Sequence, residues 1–192
     1  MSLPDEVRIL RLRRLGLAAA FGIIISTGAA ERTAHSGASD ALVGFEASGP
    51  AGLKITGSTP ELTETEDAGN ITISVALAKL TTGINLRDQH MREKYLEVPT
   101  FPVTTLTVAR GSLILPTDGH KTEGDVQGTL VLHGQTRPIT VHYDITSQGG
   151  ALLSHGRFRI DMNAFGITVP TYLGVTVKPS VDVSASFRLS RS

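Results

Sequence analysis

Cysteine and tryptophan are absent from the 192 residues, and only 5% of them are aromatic. Without cysteine there is no disulfide framework, thiolate metal site, iron–sulfur cluster, cysteine nucleophile or lipid-modified N-terminal cysteine. So few aromatics require a core built mainly from aliphatic side chains. Neither sign of charge is in surplus: 18 Lys+Arg stand against 18 Asp+Glu, which gives no electrostatic ground for nucleic-acid binding. A GxSxG elbow, an HExxH pair, a phosphate-cradling glycine loop and a dinucleotide fingerprint are missing too, so no catalytic residue is assigned. The length fits one or at most two compact domains.

The charge balance conceals a partition. Arg8, Arg11, Arg13 and Arg14 crowd the first 14 residues, Leu15 to Ser26 is almost wholly apolar, and Thr27 to Ala30 are small. A basic stretch, a short apolar run and small residues ahead of a polar chain predict a secretory signal peptide over residues 1–30. The apolar run is too short to span a bilayer comfortably, which takes about 20 residues. An uncleaved anchor is the alternative. Without those 30 residues, 162 remain, carrying 14 Lys+Arg and 16 Asp+Glu. The expected location is periplasmic or secreted.

Residues 31–40 are small and polar and read as a disordered leader, with a single domain over residues 41–192. Within that domain apolar and polar residues alternate with period two. Val43, Phe45 and Ala47 do so, as do Ile71 to Leu77, Ile139 to Ile145, and Val181 to Leu189. Gly and Asp-Gly turn signals separate the runs. About eight strands, each with one apolar face, predict an all-β antiparallel barrel or sandwich. The acidic group Glu61, Glu64, Glu66 and Asp67 reads as a solvated loop.

Residues 85–96 break the alternation and predict a short helix, with Asn85 as cap, Asp88 in a capping-box variant and an Asp88–Arg92 ion pair. Such a helix would be either a lid or a simple closure of one barrel end. Among the histidines, His142 and His155 stand out: a hairpin turn centred on Gln148-Gly149 would pair them directly on the polar face. That makes a metal-binding protein or metal-dependent enzyme an alternative reading, although cross-strand histidines on a solvated sheet are usually no more than that. No metal ligand set is assigned.

An apolar barrel interior without convergent catalytic groups is by default a place to hold an apolar small molecule. The scarcity of aromatics favours a long chain over a planar ring. The candidate lining is Phe45, Ile55, Ile73, Met91, Tyr95, Phe101, Leu130, Tyr143, Phe158, Phe165 and Tyr172. Arg87 and Arg92 are candidates for a phosphate or quinol head group, or else surface charges paired with Asp88 and Glu93.

Three motifs in order carry a family resemblance. Thr82-Gly83-Ile84-Asn85-Leu86-Arg87-Asp88, running on through Tyr95-Leu96-Glu97-Val98 to Phe101-Pro102, is similar to the central signature of the YceI-like family. Gly128 to Ile139, with Gly134-Gln135-Thr136-Arg137-Pro138, resembles its second signature, and Phe165-Gly166-Ile167 its third. The resemblance implies a lipocalin-like antiparallel barrel in an exported protein that binds polyisoprenoids or other long amphiphiles. It implies no catalysis and no cofactor beyond the bound lipid or isoprenoid. Transient membrane contact and a homodimer are both compatible with it. Tyr172 to Val177 departs from the family pattern and is placed where it would line the mouth. A purely structural exported barrel, its interior filled by side chains, is the remaining alternative.

Overall fold

The computed structural model describes residues 33–36, 41–172 and 174–191. The expected signal peptide over residues 1–30 lies outside the described residues. In chain order the strands are β1 (Thr33–Ser36), β2 (Leu42–Ser48), β3 (Lys54–Thr59), β4 (Thr63–Asp67), β5 (Asn70–Ala76) and β6 (Val103–Ala109). They continue with β7 (Lys121–Leu132), β8 (Gln135–Gln148), β9 (Ala151–Asp161), β10 (Thr171–Tyr172), β11 (Val175–Thr176) and β12 (Ser180–Leu189). Helix α1 (Asn85–His90) runs directly into a π-helical turn, Met91–Tyr95.

Ten of these strands form one antiparallel sheet in the order β1-β4-β5-β6-β7-β8-β9-β12-β2-β3, and β10 and β11 make a separate ribbon. Alternation decides which face is buried. Val181 is buried on β12 next to an exposed Asp182, and Val141, Tyr143 and Ile145 are buried on β8 between half-exposed neighbours. Side chains from β5, β6, β7, β8, β9 and β12 meet in one cluster that includes Ile71, Val108, Val126, Ile145, Leu152 and Phe187. Six successive strands can share one cluster only if the sheet curls around it, as a barrel-type sheet does. No ladder among the described residues joins the edge strands β3 and β1. Instead Ser58 on β3 exchanges both backbone hydrogen bonds, 2.8 and 3.0 Å, with Thr81 in the connection to α1.

The strand number exceeds the expected eight because several strands hide their pattern. β6 reads Val-Thr-Thr-Leu-Thr-Val-Ala, with threonine on both faces. β4 reads Thr-Glu-Thr-Glu-Asp, and it occupies the acidic stretch expected to be a solvated loop. Glu64 on it is only 4% exposed and accepts the Ser190 backbone N–H (3.3 Å) and hydroxyl (3.4 Å). Within the expected disordered leader, Thr33–Ser36 pairs with β4 as an edge strand. Backbone pairing with an open edge does not depend on apolar side chains, which explains why a polar segment can take that place.

Two hairpins set the register of the central strands. β7 and β8 join through His133-Gly134, both at positive φ (50° and 70°), a type I′ pattern that matches strand twist. β8 and β9 join through Gly149-Gly150, with Gln148 opposite Ala151. That turn lies one residue beyond the expected centre, so every pairing slips by two. His142 faces Arg157, and His155 faces Asp144.

The interior has two parts. One end is packed solid, with Ile71, Ile145 and Leu152 at most 2% exposed, each burial stabilising by about 1.5–3 kcal/mol. The other end gathers Ala47, Leu77, Leu130, Ile160, Met162 and Val181, with Tyr95 and Leu96 packed against them. That second end is where the helix sits.

Candidate functional site

The second end encloses a cavity of about 780 Å³, within the size range of small-molecule sites. Its walls come from β2, β3, β5, β6, β7, β9 and β12, with the helix and the 167–177 segment at its border. Alternation supplies these walls: the inward residues of β2 and β12, Phe45 and Val183 among them, pair across the ladder and present one continuous apolar surface. Exposure locates the opening. Deep lining residues such as Leu77, Leu130 and Met162 are buried, whereas Leu53 (39%), Ile84 (53%), Leu86 (59%) and Val175 (41%) also line the cavity yet stand in solvent. These four belong to the β2–β3 connection, the start of α1 and the β10–β11 ribbon, which therefore rim the mouth.

A buried carboxylate fastens the helix there. Asp88, 4% exposed, accepts the Thr81 hydroxyl (2.5 Å), the Thr82 N–H (2.7 Å) and the Thr82 hydroxyl (2.5 Å). Arg92 approaches the same carboxylate at 3.7 Å, the expected i, i+4 ion pair. Burial by itself pushes the Asp88 carboxyl up. The hydrogen bonds from Thr81 and Thr82, with the Arg92 guanidinium, outweigh it and hold the group below the ordinary carboxylate value. Capping thus differs from expectation: Asn85 makes no cap, Ile84 stands in that position, and Asp88 reaches back to Thr82 beyond it. Arg87 completes the joint by donating from Nε to the Thr82 hydroxyl (2.8 Å) and from Nη2 to the Thr82 carbonyl (3.0 Å).

Of the expected lining, Phe45, Ile55, Ile73, Met91, Tyr95, Leu130 and Phe158 are on the cavity wall, as is Arg87. Four others are elsewhere. Phe101 stacks on His133, ring centroids 4.5 Å apart, against the β7–β8 turn. Tyr143 belongs to the solid end, where its hydroxyl accepts the Ile114 N–H at 3.0 Å. Phe165 is buried in the second cluster beside the cavity, and its carbonyl accepts from His133 Nδ1 at 3.1 Å. Arg92 turns toward Asp88. The side chain of Tyr172 lies outside the described residues. Within the segment expected at the mouth, Val175 and Val177 do line the cavity.

Sequence reasoning missed the rim residues Leu53, Ile84 and Leu86 and the basic residues His90 and Lys94. A signal existed: Ile84 stands three residues before Arg87 and seven before Met91, and positions 87, 90, 91, 94 and 95 share one helical face.

The expected histidine pair does not form a site. His142 Nδ1 bonds Asp125 Oδ1 at 2.8 Å across β7, while His155 Nδ1 bonds Ser186 Oγ at 2.9 Å across β12. The two-residue slip also takes them out of direct opposition, with Arg157 across from His142 and Asp144 across from His155. Among the described residues no three His, Asp or Glu gather as a metal would need.

The YceI-like domain family matches residues 32–189. UPF0312 proteins of Pseudomonas savastanoi pv. phaseolicola and Pseudomonas syringae pv. syringae are 31% identical over 111 residues, covering 54% of this chain. The chain spans about half the length of these curated relatives, 55%. Among solved structures, a polyisoprenoid binding domain from Saccharophagus degradans superposes with a TM-score of 0.65 at 20% identity, covering 77% of this chain and 92% of its own. Burkholderia cenocepacia BcnA gives 0.62 at 17% identity, covering 78% and 96%. The Campylobacter jejuni YCEI protein gives 0.53 at 14%, covering 72% and 85%. Identities this low establish the shared fold and nothing finer.

Proposed function

Since the chain belongs to the YceI-like domain family, we propose that it is a carrier that holds a long-chain amphiphile, such as a polyisoprenoid, an isoprenoid quinone or a fatty-acyl lipid, in its barrel without transforming it. The observation that carries this reading is the cavity of about 780 Å³, walled by aliphatic side chains and opening on an apolar rim. That size is typical of sites that bury most of a small molecule's surface. Each buried methylene-sized group gains about 0.8 kcal/mol, so ten give about 8 kcal/mol and near-micromolar affinity. The polyisoprenoid binding domain with the same fold supports the choice of ligand class.

A bilayer stabilises each methylene about as well as the cavity does. Such a protein therefore exchanges its ligand with membranes and does not sequester it. Leu53, Ile84, Leu86 and Val175 at the mouth are the groups that would touch lipid during exchange. Export to the periplasm or medium belongs to the same reading and rests on the pattern of residues 1–30. A purely structural barrel is disfavoured, because its interior would be filled where this one is hollow.

Native mass spectrometry of protein purified from its own host tests the proposal. The expected result is a bound long-chain species, or uptake of an added polyprenol or quinone at one per chain. No bound lipid together with no uptake overturns it.

A further inference from the structure

Among the described residues, the basic residues of the cavity lining are gathered at one place. Arg87, His90 and Lys94 line the cavity, all from the helix and its π turn, and among the described residues no Asp or Glu does. Spaced three and four residues apart, they share one helical face with the lining residues Met91 and Tyr95. Their position is the mouth, since His90 and Lys94 are exposed and the rim residues Ile84 and Leu86 lie a turn away.

The nearby acids make their contacts elsewhere. Asp88 is committed to Thr81, Thr82 and Arg92, Glu93 accepts from Gln89 at 3.2 Å, and Glu97 lies 3.5 Å from His133. Among the described residues none of the three basic residues forms an ion pair. Arg87 is held by its two bonds to Thr82, and the Lys94 ammonium sits over the Tyr95 ring, 5.6 Å from its centroid. His90 offers an imidazole N–H in either tautomer.

We infer that the ligand bears an oxyanion head, a carboxylate or a phosphate ester, held at the mouth by Lys94, His90 and Arg87. This rests on the carrier reading and narrows its ligand class. An amphiphile entering tail first leaves its head at the mouth, because the deep wall is aliphatic and cannot solvate a charge. There an anionic head meets three basic groups, whereas a neutral head forgoes that attraction and a cationic one is repelled. Exposed pairs of this kind are individually weak, so two or three together give about tenfold selectivity.

Displacement of a neutral fluorescent probe by hexadecanoic acid, hexadecyl phosphate, hexadecanol and hexadecylamine isolates the head, since the chain is constant. At low salt the acid, the phosphate or both are expected to bind about tenfold more tightly than the alcohol, and the amine more weakly than the alcohol. Their order tells carboxylate from phosphate. The advantage is expected to fall at about 1 M salt, where charges are screened beyond roughly 3 Å. A double variant, Lys94→Gln with His90→Gln, is expected to abolish most of the advantage, read as the ratio of acid or phosphate affinity to alcohol affinity within the same variant. Equal binding of all four heads, or an advantage that survives the double variant, overturns the inference but not the carrier. Binding of none of the four overturns both.

Discussion

Replacing Asp88 with asparagine would keep the side chain's shape and remove its charge. In the native protein the carboxylate takes three hydrogen bonds from Thr81 and Thr82 and the approach of Arg92, in a site 4% exposed. An amide offers one acceptor oxygen where the carboxylate offers two, so its NH2 would replace either Oδ2, which accepts from Thr81, or Oδ1, which accepts twice from Thr82. Hydrogen bonds to charged groups contribute about 1.5–3 kcal/mol each, so Asp88→Asn is expected to cost at least one such increment. For a domain of this size that is roughly 3–12 °C in Tm. The pH dependence supplies the sign. A carboxyl whose folded pKa lies below its unfolded value stabilises the fold above the ordinary carboxylate pKa of about 3.9, and loses that contribution as pH falls through the folded value. Thermal unfolding followed by circular dichroism should therefore show a gap between native and variant that is full at neutral pH and closes in strong acid. Equal Tm values at neutral pH, or a gap unchanged in acid, would refute the reasoning.

Gly57 lies opposite Phe45 in the β2–β3 ladder, where an added Cβ would overlap the Phe45 ring and stand 3.0 Å from the Thr81 carbonyl. Gly57→Ala is expected to cost about 1–3 kcal/mol in urea unfolding and to weaken ligand uptake by displacing a wall residue; an unchanged midpoint would contradict this. Tyr143→Phe removes the acceptor of the Ile114 N–H at the solid end. It should lower stability by about 0.5–1.5 kcal/mol while leaving ligand affinity intact, and a loss of affinity would place Tyr143 in the site after all.

Alternation was readable wherever one face met solvent. Val181 to Leu189 and Ile139 to Ile145 show it, and their inward residues are the ones the pattern picks. It failed at β4 and β6, where threonine and glutamate occupy inward positions, because pairing there is held by the backbone and by contacts such as Glu64 with Ser190. The helix over 85–95 was legible from its missing Pro and Gly and from the Asp88–Arg92 spacing. What Asp88 actually binds was not, since Thr81 and Thr82 reach it through a tertiary bend. Of the site, inward strand residues such as Phe45, Ile55 and Phe158 followed from period two alone. Tyr143 joins the solid end, Phe165 joins the second cluster beside the cavity, and Phe101 stacks on His133, because hydrophobic character alone cannot say what a residue packs against. His142 and His155 show how a one-residue change of turn moves every cross-strand partner by two.

The central claim is that the hollow end of the barrel binds an apolar chain by its length. Calorimetric titration of a homologous series of unbranched fatty acids tests it most directly. Affinity should rise about fourfold per added methylene, the equivalent of about 0.8 kcal/mol, and then level off once the chain outgrows the cavity. Affinities that do not change with chain length, or an absence of binding across the series, would contradict the account.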